Sequence, residues 1–155
     1  MTIHWTNELS RASDTEVDTL ELAHHVRLSR EHRQFLTRIT NGGSPVEDLA
    51  IPAVDCPYGA GGLLGVYGIN NPADYYDMAT AFEANKRFLP HLVPFGYDQG
   101  SSQVFVDMIS TPGRLVYIPL DELQKSQPAI YHAANSIAEF LEKSAELTVM
   151  LNSEG

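Results

Sequence analysis

Three short apolar runs near the middle of the chain, separated by turn-like breaks, predict an antiparallel β-meander. In the second run, Val104 and Val106 point to one face and Phe105 and Asp107 to the other. This period of two is typical of a half-buried strand. Breaks rich in Gly, Asp, Ser and Pro separate the runs, which lie within residues 91–100, at 104–107 and at 115–118.

Four helices are predicted around this meander, from capping residues and from apolar residues at helical spacing. The first and last helices begin with Ser-x-x-Glu capping boxes, at residues 13–16 and 136–139. Ser29 caps the second helix, and Asn71 followed by Pro72 opens the third. The predicted helices cover residues 14–23, 30–40, 71–86 and the chain from about 135 onwards.

The connections are predicted from glycines, prolines and stretches without a period. Asn41-Gly42-Gly43 should end the second helix, with at least one of the glycines at positive φ. Residues 44–62 should form a loop with one short strand near 49–51, before a strand at 63–68. Residues 124–134 contain Pro128 and should connect the meander to the last helix.

The largest apolar side chains on these elements should form the core. The apolar faces of the helices and the alternation in the meander place them on the inner side of each element. We therefore expect six side chains to be buried and packed against one another: Phe35, Ile39, Phe82, Phe95, Phe105 and Phe140.

Length and composition indicate one globular domain covering residues 1–155. The chain has 155 residues, of which 43% are hydrophobic, and this is enough for a proper core. Cys56 is the single cysteine, so an internal disulfide and a cysteine-based zinc site are excluded. The N-terminus lacks a signal-peptide pattern, and no apolar run is long enough for a membrane span. A cytoplasmic location is expected.

The charge is strongly acidic and unevenly distributed. The net charge is −10, and no Lys or Arg occurs between Arg38 and Lys86. Such a surface repels nucleic acid and anionic membranes and attracts a basic partner, although acidic balance also serves solubility alone. The residues that make this segment acidic are Glu47, Asp48, Asp55, Asp74, Asp77 and Glu83.

The sequence matches no catalytic, metal-binding or cofactor-binding motif. The glycine-rich stretch 58–62 lacks the Gly-Lys-Ser/Thr of a phosphate loop, and Leu64 stands where a dinucleotide fingerprint needs its third glycine. No Gly-x-Ser-x-Gly elbow and no His-Glu-x-x-His spacing occur. Adjacent His24 and His25 point in different directions on a helix and are a poor metal pair. We expect no catalysis, no metal and no cofactor.

Five segments in a fixed order resemble the SUKH superfamily, the domain of the fungal cell-wall-assembly regulator and of many bacterial toxin-immunity proteins. Each segment alone is unspecific, but the ordered set covers roughly residues 14–145. Ser29, Ser101-Ser102 and Ile137 depart from the usual family residues. The segments are RLSREHRQFLTRITNGG (27–43), GGLLGVYGINNPADYYDM (61–78), FLPHLVPFGYDQGSSQVFVD (88–107), GRLVYIPLDE (113–122) and NSIAEFLEKS (135–144).

The resemblance implies an α+β fold, a mostly antiparallel sheet with a central hairpin and helices packed around it. It also implies a non-catalytic protein-binding domain, of the kind that neutralises a cognate toxin, often a nuclease, by direct contact. The acidic charge agrees independently, because a nuclease that holds phosphates is basic. The alternative function is a regulatory scaffold in a cell-wall or signalling pathway. An enzyme is the third and weakest hypothesis.

If the chain binds a basic toxin domain, the contact surface is predicted to be a groove or edge beside the central hairpin. Loops on a rigid sheet present partner contacts, tyrosines offer stiff contact area, and carboxylates attract a basic partner over distance. The alternative is that these are ordinary solvated loop residues. The predicted partner-binding residues are Glu47, Asp55, Tyr58, Tyr97 and Asp98.

Overall fold

The computed structural model describes residues 2–6, 11–57, 59–110 and 112–154. Within these ranges the chain forms seven strands: β1 (Trp5–Thr6), β2 (Ser44–Pro45), β3 (Leu63–Val66), β4 (Leu92–Asp98), β5 (Gln103–Asp107), β6 (Leu115–Ile118) and β7 (Tyr131–Ala134). The strands β3 to β7 form one antiparallel sheet in sequential order, and β1 pairs with β2 in a small second sheet. The predicted α+β class and the central meander are confirmed.

The described ranges also contain four α-helices: α1 (Asp14–His24), α2 (Arg30–Gln34), α3 (Met78–Ala84) and α4 (Ile137–Glu154). The capping box of α1 is confirmed, because the Ser13 side chain accepts from the Glu16 N–H while the Glu16 carboxylate accepts from the Ser13 N–H. Ser29 caps α2 by accepting from the His32 N–H at 3.1 Å. Ser136 accepts from the Glu139 N–H at the start of α4.

Two of the predicted helices differ from the structure. After Gln34 the second helix continues as a π-helix over Phe35–Ile39, and Ile39 at its end is 45% exposed. The third helix begins at Met78, with Asp77 as its N-cap, instead of at Asn71. The residues between form a 3₁₀ turn at Asp74–Tyr76, and the Asn71 side chain caps only the Ala73 N–H.

The strand predictions require two corrections. Residues 124–134 are not only a connection, because β7 occupies their end and pairs with β6 as the fifth strand of the sheet. The expected strand near 49–51 is reduced to one isolated bridge between Ala50 and Gly62. Pairing partners that are distant in sequence decide both features, and a local pattern carries little information about them.

The central hairpin is buried on both faces, whereas the alternation predicted burial on one. Val104 and Val106 belong to the main core cluster with Phe35, Phe95 and Phe140. On the other face Phe105 packs with Val116 and Ile118, and Phe88, Leu92 and Leu123 cover them. A third cluster contains Phe82 and apolar residues of α1 and α3. Phe35, Phe82, Phe95, Phe105 and Phe140 are therefore buried as predicted, but they divide among three clusters, and Ile39 is not buried.

The glycines after the second helix have the predicted conformation. Gly42 has φ of +89° and Gly43 of +124°. A Cβ on Gly42 would also come within 2.8 Å of the Gly68 main-chain nitrogen. The preceding Asn41 explains this close approach, because its side chain accepts from the Ile69 N–H at 2.6 Å and donates to the Ile69 carbonyl at 3.1 Å. The turn is thus fixed to the strand region that follows β3.

A partly buried carboxylate fixes the closing helix to the second helix. Glu31 of α2 accepts from the main-chain N–H groups of Ile137 at 2.6 Å and Ala138 at 3.1 Å. Free N–H groups at a helix start carry partial positive charge, so the anion both satisfies and stabilises them. The contact holds Ile137 and Phe140 over the sheet, where both are fully buried.

Replacing Phe140 by alanine should destabilise the fold by about 3–5 kcal/mol. Its ring is inaccessible to solvent and lies 5.9 Å, centroid to centroid, from that of Phe95. Truncation leaves a cavity between α4 and the sheet that cannot collapse fully. Urea unfolding of wild type and Phe140→Ala measures the difference. A loss below about 1 kcal/mol would contradict the packing of α4 on β4.

His32 is an unusual core residue, because both ring nitrogens are buried and have no hydrogen-bond partner in the described part of the chain. Its ring lies edge-on to Phe95 at 5.6 Å between centroids. Burial lowers the pKa of His32 from 6.5 to about 4, since the apolar surroundings disfavour the imidazolium ion. The native protein therefore holds His32 neutral.

This burial makes stability dependent on pH, with a sign fixed by linkage. Well above pH 6.5 the histidine is neutral in both states and contributes no pH dependence to stability. Between pH 6.5 and about 4 the unfolded state takes up a proton that the folded state refuses, so stability falls as pH falls. At pH 5 the loss is about 2 kcal/mol relative to pH 8.

The variant His32→Leu should lose about 2 kcal/mol less stability than wild type between pH 8 and pH 5. Urea unfolding of both proteins at the two pH values measures this difference. The carboxylates are the same in both proteins, so their contribution to the pH dependence cancels in the comparison. If both proteins lose the same free energy, His32 does not remain neutral in the folded state at pH 5.

Candidate functional site

The loops at one end of the sheet form the candidate site. The β4–β5 turn lies there, and β6 ends beside it, because Gln103 at the start of β5 pairs with Ile118 at the end of β6. The long loop 46–62 enters β3 at the same end, where Leu63 pairs with Asp98. We call this region the turn end, defined as residues 46–62, 99–102 and 119–122.

Asp98 organises the turn from a buried position. One carboxylate oxygen accepts from the N–H groups of Gly100 at 3.0 Å and Ser102 at 2.9 Å. The other accepts from the Tyr117 hydroxyl at 2.6 Å. The side chain is 3% exposed, and a Cβ on Gly61 would come within 3.0 Å of its oxygen. The carboxylate thus satisfies the turn and holds it against β6 and the loop 46–62.

Two neighbours extend this network across the turn end. The Ser102 hydroxyl accepts from the Leu120 N–H at 2.8 Å, which fixes the start of the segment after β6. Burial, followed by the hydrogen bond to Asp98, raises the pKa of Tyr117 to about 12. The phenol therefore stays protonated and remains a donor to Asp98 at physiological pH.

Tyr97 also lies inside the protein. It is 9% exposed, and its ring packs against Tyr67 with 5.3 Å between centroids. Burial raises the pKa of Tyr97 well above its usual value. A Cβ on Gly65 would lie 2.7 Å from its hydroxyl oxygen, so β3 has room for the tyrosine only because residue 65 is glycine. Tyr97 and Asp98 shape the turn end from inside and present little surface to a partner.

Glu47 lies at the edge of the turn end and is held by the N-terminal segment. Its carboxylate accepts from the His4 main-chain N–H at 2.9 Å and from the His4 ring nitrogen Nδ1. These hydrogen bonds lower the pKa of Glu47. Its side chain is 26% exposed. Glu47 is therefore ionised and partly accessible, and its carboxylate already makes two hydrogen bonds to His4.

Asp55 lies on an exposed turn of the loop 46–62. Its neighbour Cys56 is buried, and the backbone folds back there, since the Cys56 N–H donates to the Ala53 carbonyl at 3.1 Å. Tyr58, the remaining predicted contact residue, lies outside the described residues. Of the five predicted side chains, Glu47 and Asp55 are thus accessible, while Tyr97 and Asp98 are internal.

Two clefts flank the β4–β5 turn, and the segment 56–62 contributes residues to both. The first cleft, of about 410 Å³, has an apolar floor and an acidic rim. It is lined mainly by Glu47, Asp48, Leu49, Gly61, Gly62, Leu63, Leu64, Gln99, Leu151 and Asn152.

The second cleft, of about 310 Å³, lies on the β6 side of the turn. Asp121 on its rim is exposed, whereas Glu122 pairs with Lys125 and accepts from the Ala129 N–H at 2.8 Å. Its remaining lining is Cys56, Pro57, Gly59, Ser102, Tyr117, Pro119, Leu120 and Tyr131. No Lys or Arg is among the described residues that line either cleft.

Sequence patterns alone did not single out Asp48, Gln99 and Asp121 as members of one surface. A topological signal for Asp121 was present, because in an antiparallel meander the end of the third strand lies beside the turn that joins the first two. Leu151 gave no such signal. It reaches the first cleft only because α4 continues to Glu154 along the sheet.

The family comparison covers the same elements. The family model of the SMI1/KNR4 family (SUKH-1) matches residues 11–143, from the start of α1 into α4. The chain belongs to this family. The match includes the β4–β5 turn and the loop 46–62, so the turn end is built from family elements, while Leu151 and Asn152 of the first cleft lie beyond it. No curated protein sequence matches the chain significantly.

In this SUKH-1 domain, the described residues contain no group of three or more His, Cys, Asp or Glu side chains placed to hold a metal ion. No described helix is both long enough and apolar enough to cross a bilayer. The geometry at the turn end is that of a shaped, charged surface, with carboxylates on the rim and apolar side chains between them.

Replacing Asp98 by alanine should destabilise the domain by about 3–5 kcal/mol, because two turn N–H groups and the Tyr117 hydroxyl lose a buried anionic acceptor. Asp98→Asn is the matched control, since its amide oxygen still accepts from the turn, and it should cost less. Thermal and urea unfolding measure both. Equal, small effects of the two variants would contradict the structural role of the carboxylate.

Proposed function

We propose that this SUKH-1 domain is a cytoplasmic, non-catalytic immunity-type protein that binds a basic partner, the toxin domain encoded beside it, through the turn end. Family membership supports an immunity or regulatory role. We choose the turn end as the binding surface because both clefts have acidic rims and no described Lys or Arg lines either cleft.

The electrostatics of this surface suit a basic partner. The net charge of −10 gives long-range attraction, and the rim carboxylates give it a direction. Asp48, Asp55 and Asp121 are exposed and have no ion pair within the described ranges. Their charges are therefore available to steer a partner towards the β4–β5 turn.

In this proposal the five residues first selected have different roles. Glu47 and Asp55 contact or steer the partner, and Tyr58 stays a proposed contact. Asp98 and Tyr97 hold the turn and the neighbouring strand in the shape that the partner meets. A preformed surface of this kind binds without a large ordering cost.

Association of the purified domain with the neighbouring toxin domain should slow steeply as salt rises from about 50 to 500 mM. Asp55→Lys should slow association further, by about 3- to 10-fold at low salt. Asp74→Lys is the matched control, because it makes the same charge change on an exposed residue of the 3₁₀ turn away from both clefts. Stopped-flow kinetics measure the rates.

If binding is tight but the association rate changes neither with salt nor with Asp55→Lys, the electrostatic mechanism is rejected. Absence of binding to any neighbouring toxin domain would reject the immunity function and favour a regulatory scaffold in a cell-wall or signalling pathway.

A further inference from the structure

The first cleft combines a buried apolar floor with two exposed leucines. Its floor contains Leu49 and Leu63, which are buried, whereas Leu64 is 41% and Leu151 54% exposed. These two side chains come from β3 and α4, which are far apart in sequence, and they line one cavity. Aliphatic surface gathered in a concave site releases water when a partner covers it.

The polar groups of this cleft divide into two sets. Thr148 accepts from the Ala50 N–H at 2.8 Å, and Glu47 is held by His4, so both are satisfied within the chain. The side chains of Asp48, Gln99 and Asn152 are exposed and make no hydrogen bond or ion pair with described residues. One carboxylate and two amides therefore offer free acceptor oxygens around the apolar floor.

These groups are chemically complementary to a cationic side chain with an aliphatic stem. An ammonium or guanidinium group has donors only, which match the carboxylate and amide oxygens. The methylene stem of Lys or Arg covers apolar surface while its charged end stays at the rim. An acidic side chain would meet Asp48 and Glu47 with like charge.

We propose that the first cleft binds a Lys or Arg of the partner protein, flanked in its segment by an aliphatic residue that covers Leu64 and Leu151. This inference rests on the proposed function and deepens it, because it assigns the anchoring contact to one of the two clefts. Asp48 receives the cation, and Gln99 at the turn tip and Asn152 on α4 complete its hydrogen bonds.

The test measures the dissociation constant and the association rate for the neighbouring toxin domain with six variants, one of which, Asp48→Asn, removes the charge of Asp48 without reversing it. Asp48→Lys and Leu64→Ser alter the cleft. Leu151→Ser is a second replacement of an apolar side chain of the cleft, in case β3 does not tolerate serine. Asp74→Lys and Leu22→Ser are matched controls, because Asp74 is exposed and does not line the cleft, and Leu22 is a 79% exposed leucine of α1. Circular dichroism and thermal unfolding establish that each variant is folded.

We expect Asp48→Lys to weaken binding by more than about tenfold, and Leu64→Ser or Leu151→Ser by about 3- to 10-fold. The apolar variants should act on dissociation, with little change in the association rate. The controls should change the dissociation constant less than about threefold.

If the three cleft variants bind the toxin domain as tightly as the wild-type domain does, the cleft assignment is overturned and the proposed function stands. If Asp48→Asn binds more strongly than the wild-type domain, the partner side chain in the cleft is not cationic and the proposal is overturned. If the wild-type domain does not bind the toxin domain, the proposed function and the cleft assignment both fail.

Discussion

Two-sided burial of the β4–β5 hairpin is the constraint on which the rest of the structure depends. From Val93 to Asp98 and from Val104 to Asp107, every residue is buried. A sheet that is covered on both faces needs helices and loops on each side. The chain supplies α4 and the π-helical segment for one face, and the segments around Phe88 and Leu123 for the other.

Two aspartates, one at each end of the hairpin, satisfy the main-chain N–H groups of the adjoining turns. Asp98 serves the β4–β5 turn at one end. At the other end Asp107 accepts from the N–H groups of Ile109 and Ser110 and pairs with Arg114 at 3.0 Å. Burial opposes ionisation of Asp107, but these hydrogen bonds outweigh it and hold its pKa below its usual value.

The same arrangement explains why the candidate site lies where it does. The rigid hairpin holds the turn 99–102, and the Ser102 hydroxyl and Asp98 carboxylate connect it to β6 and its following segment. The loop 46–62 packs against Asp98 through Gly61. Carboxylates on these loops are therefore displayed on a fixed frame, which suits recognition of a partner of opposite charge.

Local signals in the sequence determined three of the four helix starts, the central meander and the conformation of one turn. Ser13 with Glu16, Ser29 and Ser136 each cap a helix as predicted, because capping depends on residues within one turn of each other. Gly42 and Gly43 have positive φ for the equally local reason that few other residues adopt that conformation. Alternation identified β5, since a strand displays its two faces in its own sequence.

Only the tertiary structure decided which of these residues reach the surface and which meet there. Asp98 and Tyr97 are residue types expected at a contact surface. The hydrogen bond that Asp98 accepts from the Tyr117 hydroxyl and the packing of Tyr97 on Tyr67 nevertheless place both inside the protein. The strand β7 exists because β6 offers a pairing edge, not because 131–134 alternate. Asp48 and Leu151 line one cleft although 102 residues separate them in the sequence. Such pairings depend on contacts between distant segments, which no local pattern encodes.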